Sequence, residues 1–212
     1  MSTQPKIDKF DRRLSRLYSG CEDKEALYDG WAENYEKDLV DDLAYVAHID
    51  AAKIFASQVE DLSSHIIDVA CGTGLVAKEL RGMGYANIDG VDFSNEMLGA
   101  SRATGCYQTV FQHDFTAPPE RTGIYDALIC VGLFAFDVPG IEHMVNVIDL
   151  VRPGCLCIIT VNGAAWIELG LESAVKQQSQ QHQFFIENIL GAGYIENQNI
   201  DAKVLVIRRG HI

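Results

Sequence analysis

The chain has 212 residues, 48% of them hydrophobic and 22% charged, and a formal net charge of −13. That length and balance suit one domain with a substantial core, with room for a small appendage. So acidic a surface repels phosphate backbones and no lysine/arginine stripe offsets it, so nucleic acid is not an expected partner.

Residues 1–20 are polar and charged, without an apolar run of signal-peptide length. No later stretch reaches the length of a membrane span, so a membrane is not an expected partner either. The six cysteines include no Cys-x-x-Cys pair. They read as small buried hydrophobes of a reducing, cytoplasmic setting; Cys155 and Cys157, on one strand face, are too few for a metal site. From Lys24 to about Glu60 the spacing predicts helix, with Leu27, Trp31, Tyr35 and Leu39 four apart and a broken apolar stripe beyond. Residues 1–60 are therefore expected as a helical cap and 61–212 as the main domain.

Ile66, Ile67, Val69 and Ala70 predict a strand buried on both faces. It runs into Gly72-Thr73-Gly74, and Leu75, Val76, Leu80 and Met83 then mark one stripe of a helix closed by Gly82 and Gly84. Strand, glycine turn and helix open a nucleotide-binding α/β sheet. Asp68 narrows the ligand. A carboxylate beside the turn repels a phosphate that the turn's N–H groups would attract, and suits a cation.

Ile88–Asp92 predicts a second buried strand. Asp92 follows Gly74 by 18 residues, near the spacing of about 20 at which an acid meets ribose hydroxyls. Ser94 is placed to cap the next helix, where Met97 is a candidate for an adenine face. Tyr107–Phe111 and Tyr125–Gly132 predict strands three and four, and Ile141–Val151 a helix. Val151–Gly154 is expected as a turn before strand five, Cys155–Val161. A helix is expected from about Glu172 to Leu190, stopped by Gly191 and Gly193. Two strands, Tyr194–Ile200 and Lys203–Arg208, follow with so short a link that they form an antiparallel hairpin.

Asp68-Val-Ala-Cys-Gly-Thr-Gly74 strongly resembles the first motif of the class I S-adenosylmethionine-dependent methyltransferases. With Tyr28-Asp-Gly-Trp-Ala32 and Gly90-Val-Asp-Phe-Ser-Asn-Glu-Met-Leu98, it is similar to the methyltransferase-like group typified by the Williams–Beuren syndrome region member. The resemblance implies a Rossmann-like, doubly wound, seven-stranded α/β sheet, mostly parallel with an antiparallel C-terminal hairpin, under an N-terminal helical lid. It implies S-adenosyl-L-methionine as cofactor, held by Asp68, Ala70, Gly72 and Gly74, and by Asp92, Phe93 and Met97. Asp114 and Phe115 fall at the adenine position, Val131 beside the methionine portion, and Tyr28, Trp31 and Tyr35 in the lid.

The partner it implies is a small-molecule methyl acceptor. A base is needed only where that acceptor must lose a proton. Asp137 and His143 are candidates, each also readable as a turn acid or a surface histidine. Residues between Trp166 and Glu172 could contribute to the acceptor pocket. Two other functions stay open. Gly72–Ala77 satisfies G-x-G-x-x-A, as in an NAD(P)-dependent reductase, although Asp68, the hairpin and the lack of a Tyr-x-x-x-Lys pair oppose it. A non-catalytic cofactor-binding protein is the second.

Overall fold

The computed structural model describes residues 24–136, 139–182 and 184–211; the lead-in over residues 1–23 and Asp137 lie outside them. Seven strands form one sheet in the order β3-β2-β1-β4-β5-β7-β6. They are β1 (Ile66–Val69), β2 (Ile88–Asp92), β3 (Val110–Gln112), β4 (Tyr125–Phe134), β5 (Val151–Asn162), β6 (Phe184–Ile195) and β7 (Ile200–Arg209). β1 to β5 are parallel, and β7 is antiparallel to both of its neighbours. The chain starts the sheet in its middle and winds outward both ways, which leaves a crevice where β1 and β4 lie side by side.

Every residue of β1 and β2 is buried, as the β-branched runs require. Below the sheet, α2 (Ala47–Gln58) presents Ala47, Ala51, Ala52 and Phe55, and α3 (Leu75–Gly82) presents Val76, Ala77 and Leu80, to Ile66, Ile88 and Ile129. The alanines let α2 approach closely. Fully buried Phe55 contributes about 1.5–3 kcal/mol through the area it removes from water. Above the sheet, α5 (Met144–Ile148) and α7 (Leu171–His182) cover Ile67, Val69, Leu128 and Ile159. α4 (Asn95–Ala103) follows β2 and is capped by Ser94, whose Oγ accepts from Met97 N at 3.1 Å. The short α6 (Gly163–Glu168) follows β5.

The structure corrects several expected boundaries. The helix expected to Leu190 ends at His182, and Phe184–Ile195 is the edge strand β6. The hairpin is antiparallel as expected, but its turn is Glu196–Asn199, and Asp201 and Ala202 lie inside β7. Strand three starts at Val110 and not at Tyr107. Strand five already begins at Val151, and the helix before it shrinks to a 3-10 turn, Ile141–His143, followed by α5.

The helical stretch expected over 24–60 is three pieces: α1 (Lys24–Asp29), a π-helical turn (Lys37–Asp42) and α2. Ala44, with φ 53°, ends the second piece, and Tyr45 bridges to Ile195 of β6. That junction is stitched to the hairpin. Glu196 N donates to Ala44 O at 3.1 Å, Val46 N to Tyr194 O at 3.0 Å and Asn197 Nδ2 to Asp42 O at 3.1 Å.

Candidate functional site

The carboxyl ends of β1 and β2 meet the glycine turn at two buried acids. Asp92 closes the turn: Oδ2 accepts from Gly72 N at 2.9 Å and Oδ1 from Ser94 N at 3.0 Å. A carboxylate offers about four acceptor positions, so the turn's N–H groups do not take them all. Burial pushes the Asp92 carboxyl up to about 6, although the N–H groups of Ser94 and Gly72 pull it down. Asp68 has no exposed surface. Its Oδ2 accepts from the Tyr107 hydroxyl at 2.7 Å, and its Oδ1 has no partner among the described residues. Burial pushes this carboxyl up to about 7; Tyr107 pulls it down and Asp92 pushes it further up.

Burial holds both acids above their ordinary range, and a cation placed beside them would keep both ionised. A Cβ on Gly72, at φ 53°, would meet nothing within 4 Å, so its backbone is open to a ligand. Ala70 shares this left-handed conformation at φ 56° without being glycine, a local strain of about 1–2 kcal/mol. Free oxygen, open glycine turn and paired acids fit a ligand carrying an ammonium and vicinal hydroxyls.

Residues 28–48 roof this floor. The Tyr28 ring meets Phe93 edge-on at 5.3 Å, and Trp31 meets Tyr35 edge-on at 4.9 Å. Asp29 accepts from Ser94 Oγ and from Glu96 N, and Lys78 Nζ pairs with Glu36 at 2.7 Å. Between roof and floor lies a cavity lined by Tyr35, Tyr45 and His48 from one side and Ala70, Gly72 and Val131 from the other. His48 is 5% exposed, with Nδ1 buried and partnerless among the described residues. Its imidazole stacks on Tyr45 at 5.5 Å and 17°. Burial lowers its pKa, against the carboxylates of Glu79, Glu36 and Asp50, so the ring is neutral at pH 7.

The structure thus brings Asp68, Ala70, Gly72, Gly74, Asp92, Phe93 and Val131 together with Tyr28, Trp31 and Tyr35. Met97 is 1% exposed under the Ser94 cap, and Phe115 is 3% exposed in the core above the sheet. Asp114 is exposed, its carboxylate accepting from Thr116 N and Oγ1 at 2.9 and 2.7 Å. That turn pulls its pKa down, with smaller pulls from His113 and His143. His143 lies 3.7 Å from Glu142 in the 3-10 turn before α5. Sequence reading passed over His48, Tyr45 and Tyr107. Their only local signal was His48 on the buried stripe of an amphipathic helix.

Residues 66–154 match the family described as a methyltransferase domain. That match spans less than half of the chain. Human methyltransferase-like protein 27 is 36% identical over 141 residues, which are 63% of this chain and 55% of that protein. A ubiquinone biosynthesis O-methyltransferase of Burkholderia multivorans is 26% identical over 136 residues, 61% of this chain and 50% of the relative. The chain spans about half the length of these curated relatives. A solved structure of the complex between the Haloferax volcanii Trm112 methyltransferase activator and the putative methyltransferase contains a chain similar in fold. Its TM-score is 0.63 at 16% identity, over 87% of this chain and 98% of that one. A second similar fold, solved for the conversion of a disulfide bond into a thioacetal group during echinomycin biosynthesis, has a TM-score of 0.57 at 20% identity. That match covers 76% of this chain and 82% of the other. The glycine turn, Asp68 and Asp92 all fall inside the residues that match the methyltransferase domain.

Proposed function

We propose that this chain transfers a methyl group from S-adenosylmethionine to a small-molecule acceptor. The observation that carries the reading is Asp68, an acid sealed beside the glycine turn with one oxygen left without a partner among the described residues. In this reading Asp68 faces the ligand's ammonium, Asp92 accepts from the ribose hydroxyls and Gly72 lets the backbone come close. Phe93 and Met97 adjoin the base, with Asp114 and Phe115 at its far side, and Val131 borders the methionine portion. The donor, when bound, supplies a methyl already made electrophilic by its sulfonium. What remains for the protein is alignment and exclusion of water. Tyr28, Trp31 and Tyr35 exclude water as a lid, with residues 1–60 as the cap and 61–212 as the catalytic domain. Where the acceptor must lose a proton, His48 holds a neutral Nδ1, without a partner among the described residues, beside the cavity.

Several observations support a small, diffusible acceptor. The net charge of −13 repels nucleic acid, and among the described residues no helix is long and apolar enough to cross a membrane. The described cysteines are all free thiols, which favours a reducing, cytoplasmic setting. A pyridine dinucleotide is disfavoured because its pyrophosphate would lie against Asp68 and Asp92. Calorimetric titration with S-adenosylhomocysteine and with NADH, followed by mass spectrometry of a metabolite panel incubated with S-adenosylmethionine, tests the reading. Binding of the thioether nucleoside and a methylated metabolite are expected. Binding of NADH in its place overturns the proposal.

A further inference from the structure

Tyr107 lies in the loop between α4 and β3, outside any helix or strand, yet its ring reaches into the middle of the sheet. Two glycines admit it. A Cβ on Gly90 would stand 2.9 Å from the ring's Cε1, and one on Gly74 would stand 3.3 Å from Cε2. Gly90 pairs in register with Asp68 across β1 and β2, and side chains of such partners leave the sheet on the same face. A glycine in a strand interior weakens the strand unless another group needs the space. Here that group is the phenol ring, which ends on Asp68 Oδ2 at 2.7 Å.

We propose that Tyr107 is the positioning residue of the ligand-binding acid: its hydroxyl fixes one oxygen of Asp68 and so holds the other free for the ammonium of the bound nucleoside. The inference rests on the methyltransferase reading above. The hydroxyl also favours the charged carboxylate, because a hydrogen bond donated to an ionised acid stabilises that form. The other titratable groups around Asp68 are Asp92 at the end of β2, Cys71 in the turn and Cys130 on β4. Burial pushes both thiols, and the Tyr107 hydroxyl itself, well above their usual range. All three therefore stay protonated, Tyr107 remains a donor, and Asp92 is the one neighbour that ionises with Asp68.

The test is calorimetric titration of S-adenosylhomocysteine into the full chain between pH 5.5 and 8.5, for the wild type and Tyr107→Phe. The ring, and its packing on Gly90 and Gly74, is kept. Wild-type affinity is expected to fall as the pH drops through neutrality. The variant is expected to bind about tenfold more weakly at pH 7, the scale of one hydrogen bond to a charged group, with the midpoint of its pH profile moved upward. Asp68→Asn alone and combined with Tyr107→Phe complete a cycle in which the phenylalanine costs nothing further once the acid is gone. Wild-type affinity and midpoint in Tyr107→Phe, or weaker binding with an unmoved midpoint, overturns the positioning role alone. Failure of the wild type to bind at any pH overturns the methyltransferase reading with it. If Tyr107→Phe does not fold, fluorotyrosine is placed at position 107, which keeps the ring and makes its hydroxyl a stronger donor to Asp68. The midpoint of the binding profile is then expected to fall below that of the wild type, and an unmoved midpoint overturns the role.

Discussion

Replacing Asp68 by asparagine should stabilise the ligand-free protein at pH 8 relative to pH 5, although it damages the site. The acid's pKa is pushed from an ordinary 3.8 up to about 7 by burial. An acid raised in this way binds protons more tightly folded than unfolded between those values. Stability therefore falls as the pH rises through that window and levels off above about 7. Each pH unit inside the window costs about 1.4 kcal/mol, so the aspartate protein loses about 3 kcal/mol between pH 5 and pH 7 that the asparagine variant keeps. Against this, the amide puts donors where Oδ1 has no partner among the described residues, a penalty of about 1–3 kcal/mol that is equal at every pH. The difference between the two pH values is thus independent of how well the amide fits. At about 2–4 °C per kcal/mol for a chain of this size, the variant's melting temperature relative to wild type rises by about 6–12 °C from pH 5 to pH 8. Urea unfolding at both pH values measures the same difference. Parallel stability profiles for the two proteins would show that Asp68 does not titrate in this window and would remove the premise.

Asp92→Ala should weaken S-adenosylhomocysteine binding by about 1.5–3 kcal/mol, read by calorimetry, since two N–H donors of the turn lose their charged acceptor. Gly90→Ala should destabilise by about 1–3 kcal/mol in urea, because the new methyl meets the Tyr107 ring and Val110 Cγ1 at 2.9 and 3.0 Å. Residues 24–40 should gain hydrogen-exchange protection on adding S-adenosylhomocysteine; unchanged exchange removes the lid. Asp29→Ala should raise exchange in that segment without ligand, because Ser94 Oγ and Glu96 N lose the acceptor that fastens the roof to α4.

The centre of the sheet was readable because local and long-range demands agree there. Ile66–Val69 is β-branched and wholly buried, and Ser94 caps α4 by a contact three residues away. The C-terminal third was misread where they part. Ile186, Ile189 and Leu190 fit a helical stripe, but pairing with Ile207, Leu205 and Val204 makes them strand. Gly193 looks like a helix stop. In the fold its missing Cβ makes room for Val46, whose Cγ2 would otherwise stand 2.7 Å away. The break at Ala44 has neither glycine nor proline to announce it. In the site, Asp68, Gly72 and Asp92 carry their motif in sequence. Tyr107 reaches Asp68 from a loop and His48 reaches the cavity beside Gly72 from a helix, and only the tertiary packing of their elements brings them there.

The bonds that join residues 42–46 to Tyr194, Glu196 and Asn197 make the β6–β7 turn the mechanical footing of the roof. Any force lifting the aromatic segment off the crevice is transmitted first to that turn, about 150 residues away along the chain. Softening the turn, as Asn197→Gly would, is then a change in how long a ligand stays, made at a position that never meets it.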